Sequence, residues 1–303
     1  MFDFGNENFA MECCEKLTAL QAWPFSKISV EPWLSNFERD DRPFAAHMVS
    51  QFLYLNDQIV DAQFLAAFQN ISNLMRTDWI GFTQAHQSWH RFMDNCLIVP
   101  VQGEQPNPSD SGYIFARKAR QILGIDPCQL IELEDAIHLL SHGSARPIVF
   151  VDDFVGSGEQ FTKTLTRTSK KPHTFGKSIY KLCAANNTNI YYCNVAVTKL
   201  GHDRILRDFP NVILSTGNLI GNEYNWISSD SGMWPNDKRN QGIAIIEKYS
   251  KKLGYTDSNG DENDWKGFHE LGLGLAFEHS TPDASLPIFF TENDNWKPLV
   301  TRR

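Results

Sequence analysis

The sequence predicts an α/β protein built on a doubly wound, mainly parallel sheet, with a helical addition before it and a mixed addition after it. Three observations lead there. Apolar runs at 97–101, 147–151 and 190–197 are short and continuous, as expected of strands covered on both faces rather than wetted on one. Helical stretches separate them, and strand, helix, strand, helix in succession is the wiring of a parallel sheet. The chain has 303 residues, 42% hydrophobic and 12% aromatic, which is ample for a large core.

Taken in order, Phe9, Cys13, Leu17 and Leu20 fall at helical spacing, and Pro24 closes that helix. Asp40 and Asp41 precede Pro43 and the run 44–55, which predicts an acidic N-cap, a first-turn proline and an amphipathic helix. A third helix, with Phe64, Ala67, Ile71 and Leu74 on one face, is expected over 61–75. His86 and His90 share a face of a fourth, but HQSWH lacks the glutamate of a zinc-protease motif and no third ligand is evident. The loop 102–110 is rich in Gly, Pro and Asn, and Ser109-Asp110-Ser111 is placed to cap a helix carrying Phe115, Ala119 and Ile122. Further helices are expected over 132–141, from Phe161 through Leu165, and over 200–209, where Pro210 ends the last. A strand at 212–214 follows. The tail reads as a helix within 236–254, a polar loop at 258–264, a strand at 271–278 and a short apolar segment at 287–290. No linker divides the chain, so 1–95, 96–220 and 221–303 are expected to form one integrated unit.

Lys and Arg total 28 against 36 Asp and Glu, a net charge of −8, which argues against broad binding to nucleic acid or to a membrane surface. No run reaches the roughly 18 apolar residues of a membrane span. The segment MFDFGNENFAMECC has early acids and no basic region of the secretory kind, so a cytoplasmic location is expected. The six cysteines include no CxxC pair, which favours reduced, packed thiols over a disulfide framework or a zinc site.

Chemistry concentrates at Ile148-Val149-Phe150-Val151-Asp152-Asp153-Phe154-Val155-Gly156-Ser157-Gly158. A buried strand ends in two carboxylates, and a small-residue loop opens a helix. In open α/β sheets ligands bind beyond the carboxyl ends of the strands, where Asp152 and Asp153 would sit. Gly156-Ser157-Gly158 lets the backbone approach an anion, and the following helix offers unpaired N–H groups and a positive dipole end. Carboxylates beside such a loop can take sugar hydroxyls or orient water around Mg²⁺. The competing reading is a solvated acidic turn. Response regulators gather their acids from separate strands, phosphohydrolases use Asp-x-Asp, and a serine hydrolase needs G-x-S-x-G; none matches.

This segment resembles the signature of the type I phosphoribosyltransferases: four apolar residues, two acids, two apolar residues and a short Thr/Ser-Gly loop. The resemblance implies that Asp152 and Asp153 act as the catalytic pair on the ribose hydroxyls of phosphoribosyl pyrophosphate and sit nearest Mg²⁺. It implies that Val155, Gly156, Ser157, Gly158, Glu159 and Gln160 form the 5′-phosphate segment. Gln102 and Gly103 open the candidate pyrophosphate loop. Gln160 stands where the family's loop often ends in threonine, and Gly156 where several base-using members carry an acid; orotate-type members also lack that acid.

More widely the chain is similar to a phosphoribosyltransferase-like family of bacterial conflict systems, including anti-phage operons and retrons. That likeness rests on Trp33-Leu34-Ser35-Asn36-Phe37, on the acid-pair strand, and on Thr281-Pro282-Asp283-Ala284-Ser285-Leu286-Pro287-Ile288-Phe289-Phe290 with Trp296-Lys297-Pro298-Leu299. It implies a defence effector that transfers or hydrolyses at ribose C1′. The alternatives are an inactive nucleotide sensor or binding subunit of a larger defence complex and, more distantly, a nucleoside or NAD glycosidase. A retron setting would add a reverse transcriptase with its RNA–DNA hybrid as partner. Lys163, Arg167, Lys170, Lys171, Lys177 and Lys181 lie in a stretch without any acid, which reads as a solvated face or as a basic rim for pyrophosphate or nucleic acid. Tyr224, Trp226 and Trp234 read as packing for an irregular segment or as a stacking surface for a base.

Overall fold

The computed structural model describes residues 4–24, 26–75, 81–103 and 110–302. The elements begin α1 (Glu7–Ala19), α2 (Val30–Leu34), α3 (Arg42–Ser50), β1 (Leu53–Leu55), α4 (Asp57–Leu74) and α5 (Phe82–Asn95). The middle of the chain adds β2 (Leu97–Pro100), α6 (Ser111–Leu123), α7 (Leu133–Ser141), β3 (Ile148–Val155), α8 (Glu159–Thr166), α9 (Ile179–Ala185), β4 (Ile190–Thr198), α10 (Lys199–Asp208) and β5 (Val212–Ile220). Last come α11 (Arg239–Lys252), β6 (Leu275–Phe277) and α12 (Pro287–Phe290).

These elements divide into two compact units, one made of residues 1–60 with 220–303 and the other of residues 61–219. The expected boundary at residue 95 therefore moves. Phe64 and Phe68 of α4 lie against Phe115 of α6 and Phe92 of α5, at 5.1 and 6.3 Å between ring centroids, so 61–95 belongs with the sheet.

In the sheet unit the strand order is β2-β3-β4-β5, and β2, β3 and β4 run parallel. Every residue of β2 and β4 is buried, which explains the absence of alternation in their sequences. One face of the sheet, through Leu97, Val99, Ile148, Phe150, Ile190 and Tyr192, packs on residues of α7, α8, α9 and α10. On the other, Tyr191 meets Phe92 of α5 edge-on at 5.2 Å, and Ser215 of β5 bonds the Ala67 carbonyl of α4 at 2.6 Å. Ile98 bridges to Leu130 beyond β2, so the 130–131 segment extends that edge.

In the other unit, the first and last parts of the chain share one core. Trp33 is fully buried, donates its indole N–H to the Ile288 carbonyl at 2.7 Å and stacks on Phe289. The Asn36 amide donates to the Lys297 carbonyl at 2.8 Å, and β1 pairs in parallel with β6. The run 44–55, expected as one helix, instead breaks after Ser50 and returns as β1, because Leu53-Tyr54-Leu55 finds a partner strand more than 200 residues away. Asp41 caps no N–H; its carboxylate takes Lys248 and the Tyr249 hydroxyl. Trp226 and Trp234 are core residues here, joined by a bond from the Trp234 indole to the Trp226 carbonyl, while Tyr224 stays about half exposed.

All six cysteines are free thiols, and no helix among the described residues is long and apolar enough to cross a membrane. His86 and His90 stand 3.1 Å apart, Nε2 to Nε2, and no third ligand joins them among the described residues.

Candidate functional site at the strand ends

The apolar run of β3 stops at Asp152 and Asp153 and the strand continues through Phe154 and Val155, so the acid pair lies near the carboxyl edge of the sheet. Both are buried, Asp152 to 2% exposure and Asp153 to 6%. Three donors meet the Asp152 carboxyl: Ser111 Oγ at 2.6 Å, the Asp153 N–H at 3.0 Å and the Tyr192 hydroxyl at 3.2 Å. The Phe161 ring of α8 stacks on Tyr192 at 3.8 Å and holds that hydroxyl in place. Asp153 accepts the Phe154 N–H at 2.7 Å. Burial pushes the Asp152 carboxyl well above the usual carboxylate range, and the charge of Asp153 pushes the same way, while the Ser111 bond opposes both. Burial thus shifts Asp152 toward its neutral form, in a pair that resists double ionisation.

The Gly156-Ser157-Gly158 turn has two structural demands on it. Gly158 adopts φ +74°, a left-handed conformation at the N-cap of α8 that favours glycine. Gly156 lies under the first turn of α10. A Cβ at Gly201 would come within 2.4 Å of the Gly156 carbonyl oxygen, and the Thr198 hydroxyl donates to that same oxygen at 2.6 Å. Arg204, one turn further on, donates to the Ser157 carbonyl at 3.4 Å. Small residues in this loop thus serve close packing against α10. The first N–H groups of α8 have no intrahelical acceptor, as at any helix start. Val155 faces the core, Glu159 pairs with Lys163 at 3.3 Å, and the Gln160 side chain is exposed.

Parallel pairing of β2 with β3 brings Gln102 and Gly103 alongside: Pro100 opposes Val151, and the Val101 N–H continues the ladder to the Val151 carbonyl. Gln102 is already engaged. Its amide N donates to Glu132 at 2.7 Å and Tyr113 at 3.0 Å, and its amide oxygen accepts from Arg167 at 3.2 Å. Arg167, from the end of α8, also bonds the Gly103 carbonyl at 2.7 Å, and the Gly103 N–H donates to Asp110 at 3.1 Å. α6 starts tightly against this strand end, since a Cβ at Gly112 would lie 2.2 Å from the Val101 carbonyl oxygen; that approach sets Ser111 on Asp152. The rest of the expected pyrophosphate loop, 104–109 with Ser109 of the expected cap, lies outside the described residues.

Sequence reasoning missed Tyr192, Asn194, Thr198 and Gly201, and read Ser111 only as part of a helix cap and Arg167 only as part of a basic stretch. Asn194 is the one with a legible signal, a polar residue inside a continuously apolar strand. It is fully buried opposite Asp152, its Oδ1 accepts the Thr216 hydroxyl at 2.7 Å, and its Nδ2 has no partner. Asp152, Asn194 and Thr216 lie in a row on three neighbouring strands, Asp152 opposite Asn194 in the register and Asn194 bonded to Thr216, each within its strand rather than at its end. A buried amide with one unpaired end costs stability, so it marks a place where a ligand acceptor would be welcome.

The sequence profile of the PRTase-CE family matches residues 30–302 of this chain. No curated protein matches it. Among solved structures, the AQ2163 protein from Aquifex aeolicus is similar over 63% of this chain and 82% of its own, at 10% identity and a TM-score of 0.32, which is too slight to support an argument.

Proposed function

The chain belongs to the PRTase-CE family and is phosphoribosyltransferase-like, and from that premise we propose that the β3–α8 corner binds phosphoribosyl pyrophosphate or a related nucleotide. The observation that carries this reading is the acid pair beside Gly156-Ser157-Gly158, with the unpaired Asn194 amide in the same row. The loop and the start of α8 would hold the 5′-phosphate through backbone N–H groups. Asp153 is the better candidate for the ribose hydroxyls, since the Asp152 carboxyl already takes Ser111 and Tyr192.

Mg²⁺ fits the site in a limited way. It takes oxygen ligands, commonly one or two carboxylates with substrate phosphates and water, and Asp153 offers more to it than the neutral-leaning Asp152. When bound it would supply charge neutralisation on the leaving pyrophosphate. In the reaction the C1′–O bond to pyrophosphate breaks with its electron pair leaving on pyrophosphate. The acceptor's lone pair forms the new bond at C1′ and its proton passes to solvent; with water as acceptor the product is ribose 5-phosphate. In the bacterial conflict role implied by the family resemblance, such turnover would drain a nucleotide precursor.

Phosphorus NMR of the protein with phosphoribosyl pyrophosphate and Mg²⁺, beside Asp153→Asn, tests the reading. Pyrophosphate released by wild type and not by the variant supports catalysis. A second reading, a sensor without turnover, is favoured by the burial of both acids. It predicts heat stabilisation of wild type by the same ligand with no new phosphorus signal. Neither turnover nor stabilisation would sink both.

A further inference from the structure

The acid-free basic stretch includes a loop with a defined shape. Thr168 bridges Ser178 in antiparallel fashion, the Ser169 N–H bonds the Lys177 carbonyl at 2.8 Å, and the Gly176 N–H bonds the Ser169 carbonyl at 3.0 Å. Inside, the buried Ser169 and Thr174 hydroxyls meet at 2.6 Å, and Ser169 also donates to Glu134 at 2.6 Å. A loop tied this way loses little entropy when something docks on it. Its tip presents the Phe175 ring at 76% exposure, with the side chains of Lys170, Lys171, His173 and Lys177 exposed around it. Lys170 and Lys177 make no ion pair among the described residues, and Lys171 reaches only the exposed Asp135 at 3.3 Å.

Asp135 links this tip to a neighbouring cavity of about 380 Å³, which Arg117 and Arg120 of α6 also line over a floor of Pro100, Leu130 and Ile131. The volume falls within the range of small-ligand pockets, about 300–1,000 Å³. An exposed aromatic ring with the unpaired Lys170 and Lys177 near it combines a stacking platform with phosphate attraction, while the cavity sets Arg117 and Arg120 against Glu132 and Asp135.

We propose that the 168–178 loop is a docking surface for single-stranded nucleic acid, with a base stacked on Phe175 and the flanking phosphates held by Lys170, Lys171 and Lys177. A chain of net charge −8 concentrates cations here against its overall balance, so the attraction is local. A lone phenylalanine suits stacking better than membrane insertion, which draws on a larger apolar face. The surface is independent of the acid pair, and its test does not involve phosphoribosyl pyrophosphate.

The test is fluorescence anisotropy of the full chain with labelled oligothymidylate and oligouridylate, titrated with salt. Wild type should bind at low salt, and oligodeoxyuridylate beside the two probes separates the 2′-hydroxyl from the thymine methyl and so tells DNA from RNA. Phe175→Ala should weaken binding about 5- to 160-fold, the span that one stacked base carries. Lys170→Ala/Lys177→Ala should lower the slope of log K against log salt by about 1.4, roughly 0.7 per cation. Circular dichroism should show both variants folded, since all three side chains are exposed. The proposal falls if neither probe binds up to about 100 µM, the weak end of non-specific contacts. It falls equally if Phe175→Ala binds as tightly as wild type. Loop-dependent pelleting with phosphatidylserine vesicles, without oligonucleotide binding, would replace it with a membrane surface.

Discussion

Asp152→Asn probes the charge state at the heart of the candidate site. Burial and Asp153 raise the folded-state pKa of Asp152, so between about pH 4, the ordinary carboxylate value, and that raised value the folded protein binds more protons than the unfolded chain. Stability must then fall as pH rises through that window, and the missing stability is fully present below it. For one linked proton the steepest slope is about 1.4 kcal/mol per pH unit. At about 2–4 °C per kcal/mol for a unit of this size, that is about 3–6 °C per pH unit. Asparagine cannot ionise and so removes the slope. It also keeps only one acceptor oxygen for the Ser111 and Tyr192 hydroxyls, and losing one of those bonds costs about 0.5–1.5 kcal/mol. The two effects oppose each other. The variant should be less stable than wild type at low pH and more stable at high pH, with a crossing between. Urea denaturation of both proteins across pH reads the difference between the coupled acid pair and Asp153 alone, and cancels the titrating groups remote from them. A constant offset, or a wild type that gains on the variant as pH rises, would refute a carboxyl held neutral by burial.

Two further outcomes follow from close packing. Gly201→Ala should destabilise by about 1–3 kcal/mol, as overpacking does, because its Cβ meets the Gly156 carbonyl oxygen at 2.4 Å; a loss in urea denaturation below about 0.5 kcal/mol would show that α10 does not clamp the loop. Burial pushes the Cys14, Cys96 and Cys183 thiols up to about 12, and Cys193 is raised further, whereas Cys128 is exposed and Cys13 half-buried. A thiol-specific disulfide reagent at neutral pH should therefore label only Cys13 and Cys128 in the folded protein and all six once unfolded; rapid native labelling of Cys96 or Cys183 would contradict the packing.

The parts of the site that could be read from sequence are those where chemistry and local pattern coincide. Asp152 and Asp153 stand out because acids end an apolar run, and Gly156-Ser157-Gly158 because small residues precede a helix. What holds Asp152 could not be read. Ser111, Tyr192 and Asn194 come from 41 residues before and from 40 and 42 residues after it, and only Asn194, a polar residue in an apolar strand, stands out within its own element. Gly201 was equally silent, because a glycine inside a helix announces nothing until Gly156 is seen beneath it.

The sequence by itself sufficed for most of the strand and helix order, though not for α2, β1 or α9, and for the covered strands and the place where carboxylates and a small-residue loop meet, because apolar periodicity and composition act over a few residues. It also marked Trp33 and the tail through Trp296 as distinctive. Only the tertiary structure made them partners: Trp33 and Trp296 both donate to the Ile288 carbonyl, and β1 abandons a helical run to pair with β6. Such contacts depend on which surfaces meet after collapse, and local pattern carries no information about sequence separations of that length. The same distinction governs Asp152. Its residue type is written in the chain, while its burial, its three donors and its preference for a proton arise from neighbours that only the fold assembles.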